Sequence, residues 1–201
     1  MYPVGGRRFT QLANLLLILC FAVVTESRGL QRWKKERITW TLDDKYDLLT
    51  SKQYKMIRKL IVNAFYEWSS ALEGLLEIEE FVENDEDDKA DIVIRFASKD
   101  HDCFEEFDGR GGVVAHSTYP SYGMLHLDAD ELWHTGDTSR GDVDLRYVLI
   151  HEIGHVLGLK HSKFKGSVMR RHYRTTSQHF QLSKYDVRAI RKLYSLNDIS
   201  I

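Results

Sequence analysis

The segment His151-Glu152-Ile153-Gly154-His155-Val156-Leu157-Gly158-Leu159-Lys160-His161 constrains this chain more than any other, because its spacing describes a coordination geometry. On a helix, residues four apart share a face, so His151 and His155 can offer two imidazoles to one ion while Glu152 lies beside them. A continuing helix would carry His161 about 9 Å further along the axis and onto another face. The chain therefore has to turn. Gly158 allows it, because glycine takes the left-handed conformation at a helix C-terminus at little cost. Three histidine ligands leave one tetrahedral position for water, the arrangement of a catalytic rather than a closed structural zinc, with Glu152 as the proton acceptor. With 9 His and 13 Gly in 201 residues, the five specified positions co-occur by chance with a probability below about 1 in 10,000.

A length of 201 residues suggests one domain, and no internal repeat is present. Residues 1–27 read as a secretory signal: Arg7 and Arg8 form a positive start, Leu15 to Val24 is apolar, and Thr25-Glu26-Ser27 offers small residues for cleavage. The apolar run is short for a membrane span, although including Leu12 and Ala13 leaves an uncleaved anchor as the alternative. Residues 28–201 are expected to form the catalytic domain. Loss of Arg7, Arg8 and Glu26 takes the net charge from −2 to −3, which speaks against nucleic acid as a partner. Cys20 leaves with the signal and Cys103 remains alone, so no disulfide can form within the domain.

Along the mature chain, Trp33 to Leu42 alternates as a first strand. Thr50 or Ser51 can cap a helix whose core stripe is Ile57, Leu60, Ile61, Ala64, Phe65 and Trp68. Leu76 to Phe81, Ala90 to Phe96, Gly112 to Thr118 and Met124 to Ala129 complete five strands. The acidic run from Glu83 to Asp88 reads as a solvated loop. The histidine helix is expected from Asp142 to Leu157, and a last helix from Ser183 to Tyr194 buries Val187, Ile190 and Leu193.

Ser162 directly follows the third histidine, and Met169 lies eight residues beyond it within Ser167-Val168-Met169. With the histidine string, this resembles the matrix metalloproteinases, or matrixins, a family of metzincin zinc peptidases. The resemblance implies an α+β fold: a zincin-like metalloprotease domain with a twisted five-stranded mixed sheet, three helices and a cleft holding zinc. It implies a secreted zinc endopeptidase in which His151, His155 and His161 hold the metal, Glu152 is the general base and Met169 packs beneath the site. The backbone at Val114 and Ala115 would line the substrate, and Tyr147 and Tyr173 would shape the specificity pocket. Implied partners are extracellular protein or peptide substrates and inhibitors of the tissue-inhibitor type, for a monomeric enzyme. The alternative is a catalytically silent binding module, which the complete set of His151, Glu152, His155 and His161 speaks against.

A second constellation runs through His101, Asp102 and Cys103, then Phe107 to His116, then His126 to Glu131. It resembles the matrixin segment that binds structural zinc and calcium. Carried over, His101, His116 and His126 would hold zinc. Asp108, Asp128 and Glu131 would hold calcium by side chain, with backbone oxygens of Gly109, Gly111 and Val113, the mixed oxygen set that a hard cation favours. Several positions depart from the family. Cys103 stands where an aspartate zinc ligand is usual. It could ligate as a thiolate, give way to Asp102 after a one-residue shift, or stay free. The loop before His126 is short, so a second calcium is not expected, although Asp91 matches one of its ligands. Tyr185 replaces the first of two aspartates and Asp186 keeps the second, so no salt bridge from the mature N-terminus is expected at Tyr185. Arg171 replaces a proline after the Met-turn. Neither the cysteine-switch segment nor a hemopexin domain is found, so the domain is expected to begin almost directly after the signal.

Overall fold

A computed structural model describes residues 31–82, 88–103, 105–135, 143–172 and 181–195. The expected signal, most of the acidic run and Tyr173 lie outside these residues. In chain order the elements are β1 (Arg37–Leu42), α1 (Ser51–Leu72), β2 (Glu77–Glu80), β3 (Ile92–Ala97), β4 (Ala115–Ser117), β5 (Met124–Asp128), β6 (Trp133–His134), β7 (Val143–Asp144), α2 (Leu145–Val156) and α3 (Lys184–Ser195). The main sheet has the order β2-β1-β3-β5-β4, parallel throughout except for the antiparallel edge strand β4. This is the α+β arrangement of three helices and a five-stranded mixed sheet expected from the sequence. Among the described residues no helix is long and apolar enough to cross a membrane.

The alternation of β1, β3 and β5 buries Ile38, Trp40, Leu42, Ile92, Ile94, Phe96, Leu125 and Leu127. α1 brings Ile57, Ile61, Ala64, Phe65 and Trp68 to this core, and Phe65 stacks on Trp40 at 5.2 Å between ring centroids. Thr50 caps α1 through a reciprocal box: its hydroxyl accepts from Gln53 N at 3.3 Å, and its own N–H donates to Gln53 Oε1 at 3.0 Å. α2 is different, since every residue but Arg146 is buried. A helix apolar on all sides belongs in the centre of a domain. Trp68 fixes its depth by donating an indole N–H to Ile150 O at 2.9 Å.

Differences from the expected boundaries have local causes. β1 begins at Arg37 because the chain before it leaves the sheet to reach the end of α2, where Trp33 Nε1 donates to Val156 O at 2.9 Å. The Tyr194 hydroxyl of α3 donates to Leu157 O at 2.9 Å and accepts from Trp33 N at 3.4 Å, so segments 161 residues apart close over the same helix end. β4 retains only Ala115–Ser117 of the expected Gly112 to Thr118. Gly112 has φ +74, and a Cβ there would lie 2.0 Å from the Asp108 carboxylate, which holds this stretch as a loop. α2 starts at Leu145 with Asp144 as its cap, the carboxylate accepting from Arg146 N at 2.9 Å. The parallel pair β6–β7 was not expected; strands of 2 residues are too short to show periodicity. Leu60 and Val187 are half-buried rather than core.

Candidate metal centre

His151 and His155 project from one face of α2, and the surrounding backbone fixes both rings. His151 Nδ1 lies 2.7 Å from Val168 O, and His155 Nδ1 lies 2.7 Å from Leu159 O. A neutral imidazole has one N–H, and both are taken up by these carbonyls. The two Nε2 lone pairs then face each other at 3.1 Å, an approach that repels unless a cation lies between them. Gly158 has φ +104 and turns the chain as its position predicts; a Cβ there would lie 1.9 Å from Gln31 O. The turn brings His161 back, so that donor atoms of His151, His155 and His161 all lie within 4.8 Å of one another. His161 Nε2 is buried without a protein partner. Burial lowers the His151 pKa to about 4, takes that of His155 well below the usual range, and lowers that of His161 as well. At neutral pH all three rings therefore keep the uncharged form that binds a metal.

Glu152 is fully buried beside this triad. Burial pushes its carboxyl up to about 8, opposed by a hydrogen bond from the Ser117 hydroxyl to Oε2. A divalent cation alongside would reverse that push. Oε1 lies 4.0 Å from His151 Nε2 and has no protein hydrogen bond.

Beneath the triad, Met169 is 2% exposed, and a Cβ on Gly154 would meet its sulfur at 2.3 Å. Gly154 thus lets Met169 and Trp68 lie directly against α2. Val168 O also accepts from the Tyr147 hydroxyl at 3.0 Å, and the Tyr147 ring lies 6.1 Å from that of His151. Asp186 clamps this turn to α3: its carboxylate accepts from Ser167 Oγ, from Val168 N at 3.2 Å and from Ser183 N at 2.8 Å. Its neighbour Tyr185 stacks on Phe164 at 4.4 Å.

The second constellation also converges. The β4–β5 register sets His116 opposite His126, and His101 Nε2 and Cys103 Sγ approach His116 Nε2 at 3.4 and 3.3 Å. His126 Nδ1 is 3.3 Å from the same atom, and one donor atom from each of the four residues falls within a 4.8 Å cluster. His101 is oriented by Lys99 O at 2.7 Å, and Phe107 stacks on the His101 and His116 rings at 4.7 Å. Burial lowers the His116 pKa to about 4 and that of His126 to about 3. Asp102, the rival ligand, turns to Lys45 and Tyr46 at the surface instead.

Next to this cluster, Asp108, Asp128 and Glu131 face one loop. Asp108 Oδ1 accepts from Val113 N at 3.0 Å, Glu131 Oε1 from Gly111 N at 2.6 Å, and Asp128 Oδ1 from Asp130 N at 2.9 Å. Asp128 Oδ2 and Glu131 Oε2 are buried without partners. Burial raises both carboxyl pKa values, and neighbouring carboxylates add to the rise. Orphaned, mutually repelling carboxylate oxygens fit a hard cation. Gly109 and Gly111 make the loop possible with φ +80 and +86. Asp91, by contrast, is engaged by Lys35 and by Thr39 N at 3.0 Å.

β4 is the edge of the sheet on the α2 side. Val114 O accepts from Asp128 N at 3.0 Å and Thr118 N donates to Met124 O at 2.9 Å, so the alternation turns the backbone groups of Ala115 and Ser117 outward. The Val114 carbonyl is thus already engaged within the sheet. Sequence reasoning missed Ser117 and Tyr119, whose ring lies 6.0 Å from that of His155. Neither carries a spacing signal; both reach the site through the β4 strand and the turn after it.

Comparison with known proteins gives a consistent result. The matrixin peptidase family matches residues 32–195. Metalloendoproteinase 1-MMP of Arabidopsis thaliana is 36% identical over 86% of this chain and 47% of its own length. Matrix metalloproteinase-19 of Homo sapiens is 35% identical over 82% of this chain and 30% of its own. Matrix metalloproteinase-C of Caenorhabditis elegans is 34% identical over 81% and 28%. The chain spans about half or less of the length of these curated relatives. The matched region contains both histidine clusters, Glu152 and Met169, and on that match the chain belongs to the matrixin family.

Proposed function

We propose that this chain is a secreted zinc endopeptidase acting on extracellular protein substrates, with His151, His155 and His161 as the catalytic zinc ligands and Glu152 as the general base. One observation carries the reading. Three neutral imidazoles turn donor atoms to a common point, and beside them Glu152 Oε1 is buried with no protein partner. Zinc held there supplies a Lewis acid for the scissile carbonyl and lowers the pKa of water towards about 7. Glu152 takes the proton from the attacking water and delivers it to the leaving amine. The outward backbone groups of Ala115 hold the substrate as an added strand, with Val114 supporting the edge from within. Tyr147 limits the depth of the pocket for the residue after the scissile bond, which favours medium aliphatic side chains such as leucine, and Tyr173 is assigned to substrate binding by family resemblance alone. Met169 packs beneath the metal.

His101, Cys103, His116 and His126 hold a second, structural zinc. Asp108, Asp128 and Glu131 hold calcium together with carbonyls of Gly109, Gly111 and Val113. Residues 1–27 direct the chain to the extracellular space, where it acts as a monomer and is open to inhibitors of the tissue-inhibitor type. The test is hydrolysis of a denatured protein mixture by the purified chain with zinc and calcium. Chelator-sensitive cleavage that Glu152→Ala eliminates supports the reading. Binding without cleavage would favour the alternative, a catalytically silent binding module.

A further inference from the structure

We propose that Ser117 is a positioning residue for Glu152, holding one carboxylate oxygen so that the other stays aimed at the zinc ligands. This rests on the zinc-peptidase reading above, with Glu152 as base. The two oxygens of Glu152 have unlike surroundings. Oε2 accepts the Ser117 hydroxyl, whereas Oε1 has no hydrogen bond and lies 4.0 Å from His151 Nε2. Both residues are buried, at 1% and 0% exposure, so water does not substitute for the serine as donor at little cost.

The position of the hydroxyl follows from the pleat. His116 and Ser117 are consecutive on β4, so their side chains leave opposite faces. His116 joins the second cluster while Ser117 meets α2. Ala115 and Ser117 also present their backbone outward at the edge where substrate is expected to lie. Ser117 therefore joins the substrate edge to the base through a single residue. A general base acts only from within hydrogen-bond reach of its proton, and a carboxylate free to rotate would populate that geometry for part of the time. Without the hydroxyl, Oε2 loses its donor and the torsion of the carboxylate is no longer set.

The experiment compares Ser117→Ala, Ser117→Thr and Glu152→Ala, together with the Ser117→Ala/Glu152→Ala pair, in the purified zinc-loaded chain with a quenched peptide. Ser117→Ala is expected to lower kcat by about tenfold, part of the roughly 100-fold or more that a general base supplies, with KM within about twofold and zinc content unchanged. Ser117→Thr keeps the hydroxyl and restores most of kcat. In the Glu152→Ala background, Ser117→Ala should cause no further loss, because the group it positions is gone. A readout apart from turnover is the visible spectrum of the cobalt-substituted protein, which shifts in Ser117→Ala and not in Ser117→Thr if the carboxylate moves relative to the ion. Unchanged kcat in Ser117→Ala, or the same fold-loss in both backgrounds, overturns the proposal. If Ser117→Thr does not fold, the double-variant comparison and the cobalt spectrum still decide it. An active wild type with an insensitive Ser117→Ala defeats the positioning role alone, whereas an inactive, fully metallated wild type defeats the peptidase reading and this inference with it.

Discussion

The two histidine clusters lie on opposite faces of one edge strand, yet they are assembled by different means and are suited to different work. The α2 cluster takes two ligands from a single helix and the third from the turn that ends it, offers three donors, and keeps an unpartnered carboxylate oxygen at its rim. The second cluster draws four donors from a loop and two strands, with Phe107 stacked over two of its rings. Three donors would leave one tetrahedral position of a zinc ion open to a reacting group; four would close the coordination sphere. The two clusters are thus separated by the thickness of a β-strand, with His116 a member of one and its neighbour Ser117 bonded to Glu152 beside the other.

The sharpest way to break this contrast is Glu152→Ala. Peptide hydrolysis is expected to fall by at least about 100-fold while the zinc count stays the same, because the role proposed for the residue is to move a proton and not to hold the metal. Metal analysis beside a quenched-peptide assay checks it; substantial residual turnover would mean that the base lies elsewhere. Cys103→Ser probes the other side of the strand. Loss of the thiol is expected to release one of two zinc equivalents and to lower stability by about 2.7 kcal/mol, the stabilisation lost when metal at about 100 times the Kd of a site no longer binds it. Calorimetry with metal counting tests this, and an unchanged stoichiometry would leave the thiol as a bystander. Asp186→Ala removes the acceptor of the Ser167, Val168 and Ser183 donors and is expected to cost about 1–3 kcal/mol, weakening zinc at the α2 cluster and sparing the second one. Equal weakening at both would show that the clusters do not respond independently. Tyr147→Phe has the smallest expected effect, about 0.5–1.5 kcal/mol, because Val168 O keeps His151 as a partner. A peptide library then reports whether the P1′ preference stays with leucine.

How far each cluster could be read from the sequence follows from how it is built. Helical periodicity, the turn glycine and His161 occupy eleven consecutive residues, so local geometry alone specifies the α2 cluster. The second cluster depends on the β4–β5 register, which spacing does not reveal; there the resemblance to a family brought the residues together, and only the fold shows Cys103 among the histidines and Asp102 at the surface. Lys45 and Tyr46, far away in sequence, turn Asp102 outward. Sheet and helices followed from alternation and capping, as at Thr50. The contact of Ser117 with Glu152 spans 35 residues and two elements and leaves no pattern in the chain. β1 lost its first residues for a related reason: Trp33 alternates like a strand residue but is held by Val156 at the end of α2.

That helix end has a consequence for the order in which the protein is made. Chains emerge from the ribosome N-terminus first, and domains form once their distant contacts become available. His151, His155 and His161 are all translated well before Asp186 and Tyr194, the residues that secure the turn beneath them and the carbonyl at Leu157. A nascent chain therefore carries His151, His155 and His161 before it has the contacts that hold the turn beneath them. The hydrogen bond between Trp33 N and the Tyr194 hydroxyl joins the first strand's approach to the last helix, so this contact can form only after α3 has been made.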